Sequence, residues 1–128
     1  MTEKHQIHIS GEIKPYPAEY ELSAAILVAE YFKSDVIFIK RSQNNKTADF
    51  RIDGKIWELK SPIGNSKRTI QNNLRKADRQ SSNIILDLRR CKMHSAQAIN
   101  RIKFELSKAN KITHLIVIQK NENIVVLK

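Results

Sequence analysis

The sequence contains a single cysteine, Cys91, so the chain cannot form an internal disulfide and lacks the ligands of the usual zinc cluster. Its four histidines are scattered and match no standard metal-ligand spacing. No apolar run approaches the length of a membrane span, and the polar start of the chain does not resemble a signal peptide. These absences favour a cytoplasmic site of action and give no indication of a membrane partner.

Acidic residues are also few: 13 Asp and Glu stand against 23 Lys and Arg in 128 residues, which gives a formal net charge of +10. Such an excess favours a polyanionic partner, and nucleic acid is the first candidate, because each neutralised phosphate releases condensed counterions. The hydrophobic share of 41% is enough for an ordinary core, and the length fits one domain. We therefore interpret residues 1–16 as an N-terminal arm or short edge strand and residues 17–128 as one domain.

Hydrophobic periodicity predicts an α/β domain with a mixed sheet, in the order α-β-β-β-α-β-α-β-β. Pro17 is expected at the first position of the first helix, and Ser66 is expected to cap the second. The helices are predicted over about 17–33, 67–80 and 95–109, and the strands over 36–39, 47–52, 55–60, 83–88, 114–118 and 124–127.

The pair Asp53-Gly54 is one of the strongest short signals for a β-hairpin. With these two residues as the loop, Asp49 faces Glu58, and the side chains alternate between two faces of the ribbon. One face is apolar and is expected to join the core, whereas the other carries charges. The apolar face comprises Ala48, Phe50, Ile52, Trp57 and Leu59, and the charged face comprises Asp49, Arg51, Ile56, Glu58 and Lys60.

Two carboxylates directly opposite each other repel, and a divalent cation such as Mg²⁺ would remove that repulsion. Lys60 follows Glu58 by two residues on the same face, where it could orient or deprotonate a water or stabilise charge on a phosphate. The pattern is typical of metal-assisted phosphodiester hydrolysis. It is also typical of the solvated face of an amphipathic hairpin, with Lys60 and Arg51 balancing the acids, and the residues alone leave both interpretations open.

Glu21 borders the buried stripe of the first predicted helix, and a carboxylate at an inner edge needs a cationic partner. It could be an additional metal ligand, part of an ordinary salt bridge, or an acid that favours the start of the helix.

The helix that follows the hairpin is strongly cationic, and its first turn could bind a phosphate through backbone N–H groups and Lys67 or Arg68. Asn73, Lys76 and Gln80 share one face, which we expect to border the catalytic cleft. The alternative is a helix face that is merely solvated. Three further cations extend the expected basic surface: Arg89, Arg90 and Lys92.

The segment Thr-Ala-Asp-Phe-Arg-Ile, followed across the turn by Ile-Trp-Glu-Leu-Lys, resembles the core of PD-(D/E)xK nucleases. Asp49 matches the first acid and Glu58-Leu59-Lys60 match the second acid and lysine, although Ala48 stands in place of the proline. Roughly residues 17–128 also resemble the C-terminal toxin domain of contact-dependent growth inhibition CdiA proteins, a group with transfer-RNA-cleaving members. The segments that carry this second resemblance are Lys60-Ser61-Pro62, Gly64 to Ile70, Lys76-Ala77, Gln80 and Ile84 to Leu88.

The resemblance implies a restriction-endonuclease-like core, metal ligation by Asp49 and Glu58, an auxiliary acid at Glu21 and a catalytic lysine at Lys60. Mg²⁺ is the first metal to consider, with Mn²⁺ and Zn²⁺ as alternatives. The implied protein is a metal-dependent nuclease toxin that cleaves tRNA, is delivered as part of a larger secreted toxin, and is neutralised by a separate acidic immunity protein. Two alternatives stay open: a DNA endonuclease of the same fold, and a non-catalytic nucleic-acid-binding module.

Overall fold

The structure, a computed structural model, describes residues 5–10, 16–39 and 49–128. These ranges form an α/β architecture that divides into two compact units, Met1–Glu58 and Leu59–Lys128, with the boundary inside one strand. In chain order the elements are β1 (Ile7–His8), α1 (Glu19–Phe32), β2 (Val36–Ile39), β3 (Asp49–Ile52), β4 (Lys55–Lys60), α2 (Lys67–Gln80), β5 (Asn83–Asp87), α3 (Ser95–Leu106), β6 (His114–Ile118) and β7 (Ile124–Val126).

In the first unit, β1 pairs with β2 in parallel, and β2, β3 and β4 pair in turn as antiparallel neighbours. The β3–β4 turn has positive φ at both central residues, 52° at Asp53 and 81° at Gly54, as the favoured two-residue hairpin turn requires. Asp49 lies opposite Glu58, so the predicted hairpin register is confirmed. Ala48 lies outside the described residues.

Aromatic side chains fill much of the core of the first unit. The ring centroids of Phe38 and Phe50 lie 4.9 Å apart, and those of Phe32 and Trp57 lie 5.2 Å apart. Helix α1 begins two residues later than Pro17, because Ala18 still has an extended backbone with ψ of 161°. Pro17 therefore precedes the helix cap, and the prediction that it occupies the first helical position is wrong.

In the second unit, β5 pairs in parallel with β6 after the crossover helix α3, and β7 adds to β6 as an antiparallel strand. The predicted cap of α2 is confirmed, since the backbone N–H of Thr69 donates to Ser66 Oγ at 3.3 Å. The core of the second unit is one cluster of buried side chains. It comprises Ile70, Leu74, Ala77, Ile84, Leu86, Leu88, Cys91, Met93, Ala98, Ile102, Leu106, Ile112, Leu115 and Val117.

The two-residue β1 precedes the predicted order of elements, and it corresponds to the short-strand alternative for residues 1–16. Helix α3 also ends earlier than predicted, at Leu106. The next residues tighten into turns of three-residue spacing, in which Lys108 N donates to Glu105 O and Ala109 N to Leu106 O, both at 3.1 Å. In the described ranges, no helix is long and apolar enough to cross a membrane.

Candidate functional site

The β3–β4 hairpin separates apolar from charged side chains as its register predicts. The expected core residues Phe50, Ile52, Trp57 and Leu59 are all buried. On the opposite face Arg51 and Ile56 are exposed and Asp49 is half-buried, but Glu58 keeps only 2% of its surface. The interpretation of this face as merely solvated is therefore wrong at Glu58.

The structure brings Asp49 and Glu58 together as directly opposed residues of neighbouring strands. Opposed residues of antiparallel strands have Cβ atoms about 5 Å apart, so two ionised carboxylates here repel each other at low solvent exposure. Their oxygen atoms are the hard ligands that Mg²⁺ prefers, and Mg²⁺ commonly takes one or two carboxylates and keeps several waters. The donor chemistry of the pair therefore fits a divalent cation.

Glu21 is buried in the first unit, at 1% exposure. Its Oε1 accepts a hydrogen bond from the backbone N–H of Ala18 at 2.8 Å, which satisfies one of the orphan donors at the start of α1. Within residues 5–10, 16–39 and 49–128, no group of three or more His, Cys, Asp or Glu side chains is arranged to hold a metal ion. Glu21 thus does not join Asp49 and Glu58 in a three-carboxylate cluster.

Lys60 ends strand β4, two residues after Glu58, and strand alternation gives these two positions the same side. Its ammonium group donates to Gln80 Oε1, the last residue of α2, at 3.3 Å. Gln80 is predicted from the sequence as a nucleic-acid contact, and the structure shows that it is also a hydrogen-bond partner of Lys60.

Helix α2 presents most of its predicted nucleic-acid contacts to solvent: Lys67, Arg68, Lys76 and Gln80 are exposed. Asn73 is different, because it is half-buried and its Nδ2 donates to Thr69 O at 2.8 Å within the helix. A surface concavity of ≈ 440 Å³ follows the helix, lined by Asn72, Arg75, Lys76, Asp78 and Arg79.

The one acid of that list, Asp78, is not among the site residues predicted from the sequence. Its carboxylate accepts backbone N–H groups of Asn110, Lys111 and Ile112 at 3.2, 2.7 and 3.0 Å. Burial raises the pKa of Asp78, but these hydrogen bonds lower it more, so that the pKa lies below its ordinary value of 3.8. The available signal was that Asp78 is the one acid in an otherwise cationic helix.

Arg89 does not extend the basic surface as the sequence predicts. Its guanidinium binds the fully buried carboxylate of Asp87, with Nη2 at 2.8 Å from Oδ2 and Nε at 3.0 Å from Oδ1. The hydrogen bond to Asp87 holds the pKa of Arg89 above its ordinary value. Arg89 is therefore part of an internal ion pair, because a buried carboxylate needs a charged partner.

Comparison with known structures finds a similar fold in one solved complex. A chain of the CdiA-CT/CdiI toxin and immunity complex from Burkholderia pseudomallei matches with a TM-score of 0.67 and 21% sequence identity, over 96% of this chain and 98% of that chain. The family model of the contact-dependent growth inhibition CdiA C-terminal domain matches residues 46–124. No curated protein matches the sequence. The chain belongs to the CdiA C-terminal domain family and is a toxin domain.

Proposed function

We propose that this toxin domain is a metal-dependent nuclease that hydrolyses phosphodiester bonds in tRNA. The observation that supports the proposal best is the direct opposition of Asp49 and Glu58, with Glu58 buried. Like charges in this arrangement destabilise a sheet unless a cation or another compensating group offsets them. A divalent cation is such a compensating group, and both side chains supply the oxygen ligands that Mg²⁺ prefers.

In this proposal Asp49 and Glu58 hold a divalent cation, with Mg²⁺ as the first choice and Mn²⁺ or Zn²⁺ as alternatives. When bound, such an ion supplies Lewis acidity and neutralises charge at the scissile phosphate. Lys60 stabilises the negative charge that develops on the phosphate oxygens, or orients the attacking water. Gln80 positions the ammonium group of Lys60 through its hydrogen bond. The auxiliary catalytic role of Glu21 stays a prediction.

The net charge of +10 and the exposed cations of α2 support a nucleic-acid substrate. Lys67 and Arg68 stand in the first turn of α2, where backbone N–H groups are not used within the helix and favour an anion. Lys76, Asn73 and Gln80 are the further proposed contacts. Resemblance to a group with tRNA-cleaving members favours RNA over DNA.

The similar structure from Burkholderia pseudomallei contains a toxin and an immunity protein. We infer that this chain also has a separate immunity protein, and that its surface is acidic because the toxin is strongly basic. The proposed site of action is the cytoplasm of a target cell.

The test is incubation of the purified protein with total tRNA and with plasmid DNA, each with Mg²⁺, Mn²⁺, Zn²⁺ or EDTA. Discrete RNA fragments that disappear with EDTA are the expected result. Nicking of DNA alone would favour the DNA endonuclease. Salt-sensitive binding without cleavage of either substrate would favour the non-catalytic binding module.

A further inference from the structure

A second concavity of ≈ 440 Å³ lies in the second unit and shares no lining residue with the first. One side is a stripe of α3, formed by Gln97, Asn100, Arg101 and Phe104 at helical spacing. The other side comprises Asn65, Lys67 and Met93. The volume falls in the usual range for small-molecule and cofactor sites, about 300–1,000 Å³.

Three of the lining residues, Asn65, Gln97 and Asn100, are exposed amides. An amide side chain offers two donors on nitrogen and an acceptor oxygen. The hydrogen-bonding edges of nucleobases also combine donors with acceptors, and proteins read unpaired bases through them. Cationic groups alone would not distinguish one base from another, whereas amides can.

A stacking surface lies next to these amides. Phe104 is 48% exposed, and two cationic groups lie over its ring: the guanidinium carbon of Arg101 at 4.9 Å and the ammonium nitrogen of Lys108 at 4.2 Å from the ring centroid. Arg101 is itself held by Glu105, which is 5% exposed and lies 2.8 Å from Arg101 Nη2. Unpaired bases stack on aromatic rings and on guanidinium planes, and an already ordered platform loses less entropy on binding.

The same concavity offers a place for phosphate. Lys67 lines it and is the first residue of α2, next to the cap Ser66. The preceding loop is fixed, because Lys92 N donates to the carbonyls of Ile63 and Gly64 at 3.3 Å each and Cys91 Sγ donates to Gly64 O at 3.4 Å. The phosphate-binding side and the amide side therefore belong to one ordered arrangement.

We propose that this concavity binds one unpaired nucleotide of the RNA substrate and selects its base. The base stacks on the Phe104–Arg101 platform, Asn100 and Gln97 hydrogen-bond its edge, and Lys67 contacts a phosphate. This inference relies on the proposed function for the class of substrate. A paired base cannot use the site, because its faces and its Watson–Crick edge are already occupied within the duplex.

The test is fluorescence anisotropy in EDTA, with short labelled single-stranded RNAs of different base composition, the DNA equivalents and an RNA duplex. Phe104→Leu keeps apolar volume but removes the ring, and should weaken single-strand binding by about 5- to 100-fold while leaving duplex binding unchanged. Phe104→Trp should retain the affinity. Lys103→Ala is the matched control: Lys103 is an exposed α3 residue that does not line the concavity, so any small loss should be equal for single strands and duplex.

Asn100→Ala and Gln97→Ala should reduce the difference in affinity between RNAs of different base. Equal binding by Phe104→Leu and wild type, or an equal loss on duplex and single strand, would overturn the inference. Cleavage measured in parallel with Mg²⁺ separates the two proposals. Phe104-dependent binding without cleavage contradicts only the nuclease, whereas cleavage with unchanged binding by Phe104→Leu contradicts only the base site. Because Phe104 is at the surface, thermal melting should show that its variants fold.

Discussion

The β3–β4 hairpin of the first unit and helix α2 of the second carry charge in opposite ways. The hairpin sets two acids directly against each other and buries one of them almost completely. Helix α2 spreads five exposed cations over its surface: Lys67, Arg68, Arg75, Lys76 and Arg79. The hairpin is thus expected to carry the chemistry, which depends on the exact positions of its two acids. The helix is expected to contribute affinity for nucleic acid, which depends on the number of its cations.

The largest expected effect comes from Glu58→Gln, which keeps the shape of the side chain but removes its charge. The variant should bind the metal ion more weakly and stabilise the charge on the phosphate less. Cleavage should therefore fall by at least about 100-fold. Nucleic-acid affinity should change little. The melting temperature should show that the variant is folded. Cleavage assays and thermal melting of the same preparations measure both.

The matched control for this variant is Glu19→Gln, which removes the same charge from an exposed position of α1. Its cleavage rate should equal that of the wild type. If Glu58→Gln also cleaved at the wild-type rate, Glu58 would have no catalytic role. The hairpin and the helix would then differ only in how far their charged side chains are exposed to solvent.

The hairpin was the part of the site most accessible to sequence reasoning. A two-residue Asp-Gly turn determines the register locally, and side-chain alternation then assigns every residue to a face. The burial of Glu58 could not be obtained in this way, because alternation says which face a residue occupies but not what covers that face. Burial depends on contacts distant in sequence.

Long-range pairing explains the other differences. Strand β1 has two residues and pairs with β2 across the whole of α1, so the sequence of residues 1–16 leaves an arm and a short strand as alternatives. The α3 concavity likewise joins Asn65 and Lys67 to residues about thirty positions later. A signal was nevertheless available in α3, where Phe104 shares a helical stripe with polar residues and lies outside the apolar one.

A smaller effect is expected from Asp78→Ala, which removes the one acid of the cationic helix. The variant loses three hydrogen bonds to backbone N–H groups, and its free energy of unfolding should decrease by about 1–2 kcal/mol, since the carboxylate is only partly buried. Urea denaturation at neutral pH measures this loss. An unchanged free energy of unfolding would mean that the hydrogen bonds of Asp78 do not stabilise the fold.

The pH dependence of this difference follows from the lowered pKa of Asp78. A carboxyl whose pKa is lower in the folded state contributes its full stability above the unfolded value, here 3.8, and loses it as the pH falls through the folded pKa. The stability difference between wild type and Asp78→Ala should therefore be constant at neutral pH and shrink in strong acid.

The smallest effects are expected from single cations of α2. Lys67→Ala and Arg68→Ala should each weaken nucleic-acid binding by a few fold, and a lost phosphate contact should reduce the salt slope by about 1. Lys55→Ala removes an equal charge from an exposed position beside the hairpin turn. If the helix contacts phosphate directly, only its own variants should change the slope. Equal slopes for all three variants would mean that the net charge of +10 attracts nucleic acid without a defined contact. The proposal that helix α2 binds phosphate directly would then be wrong.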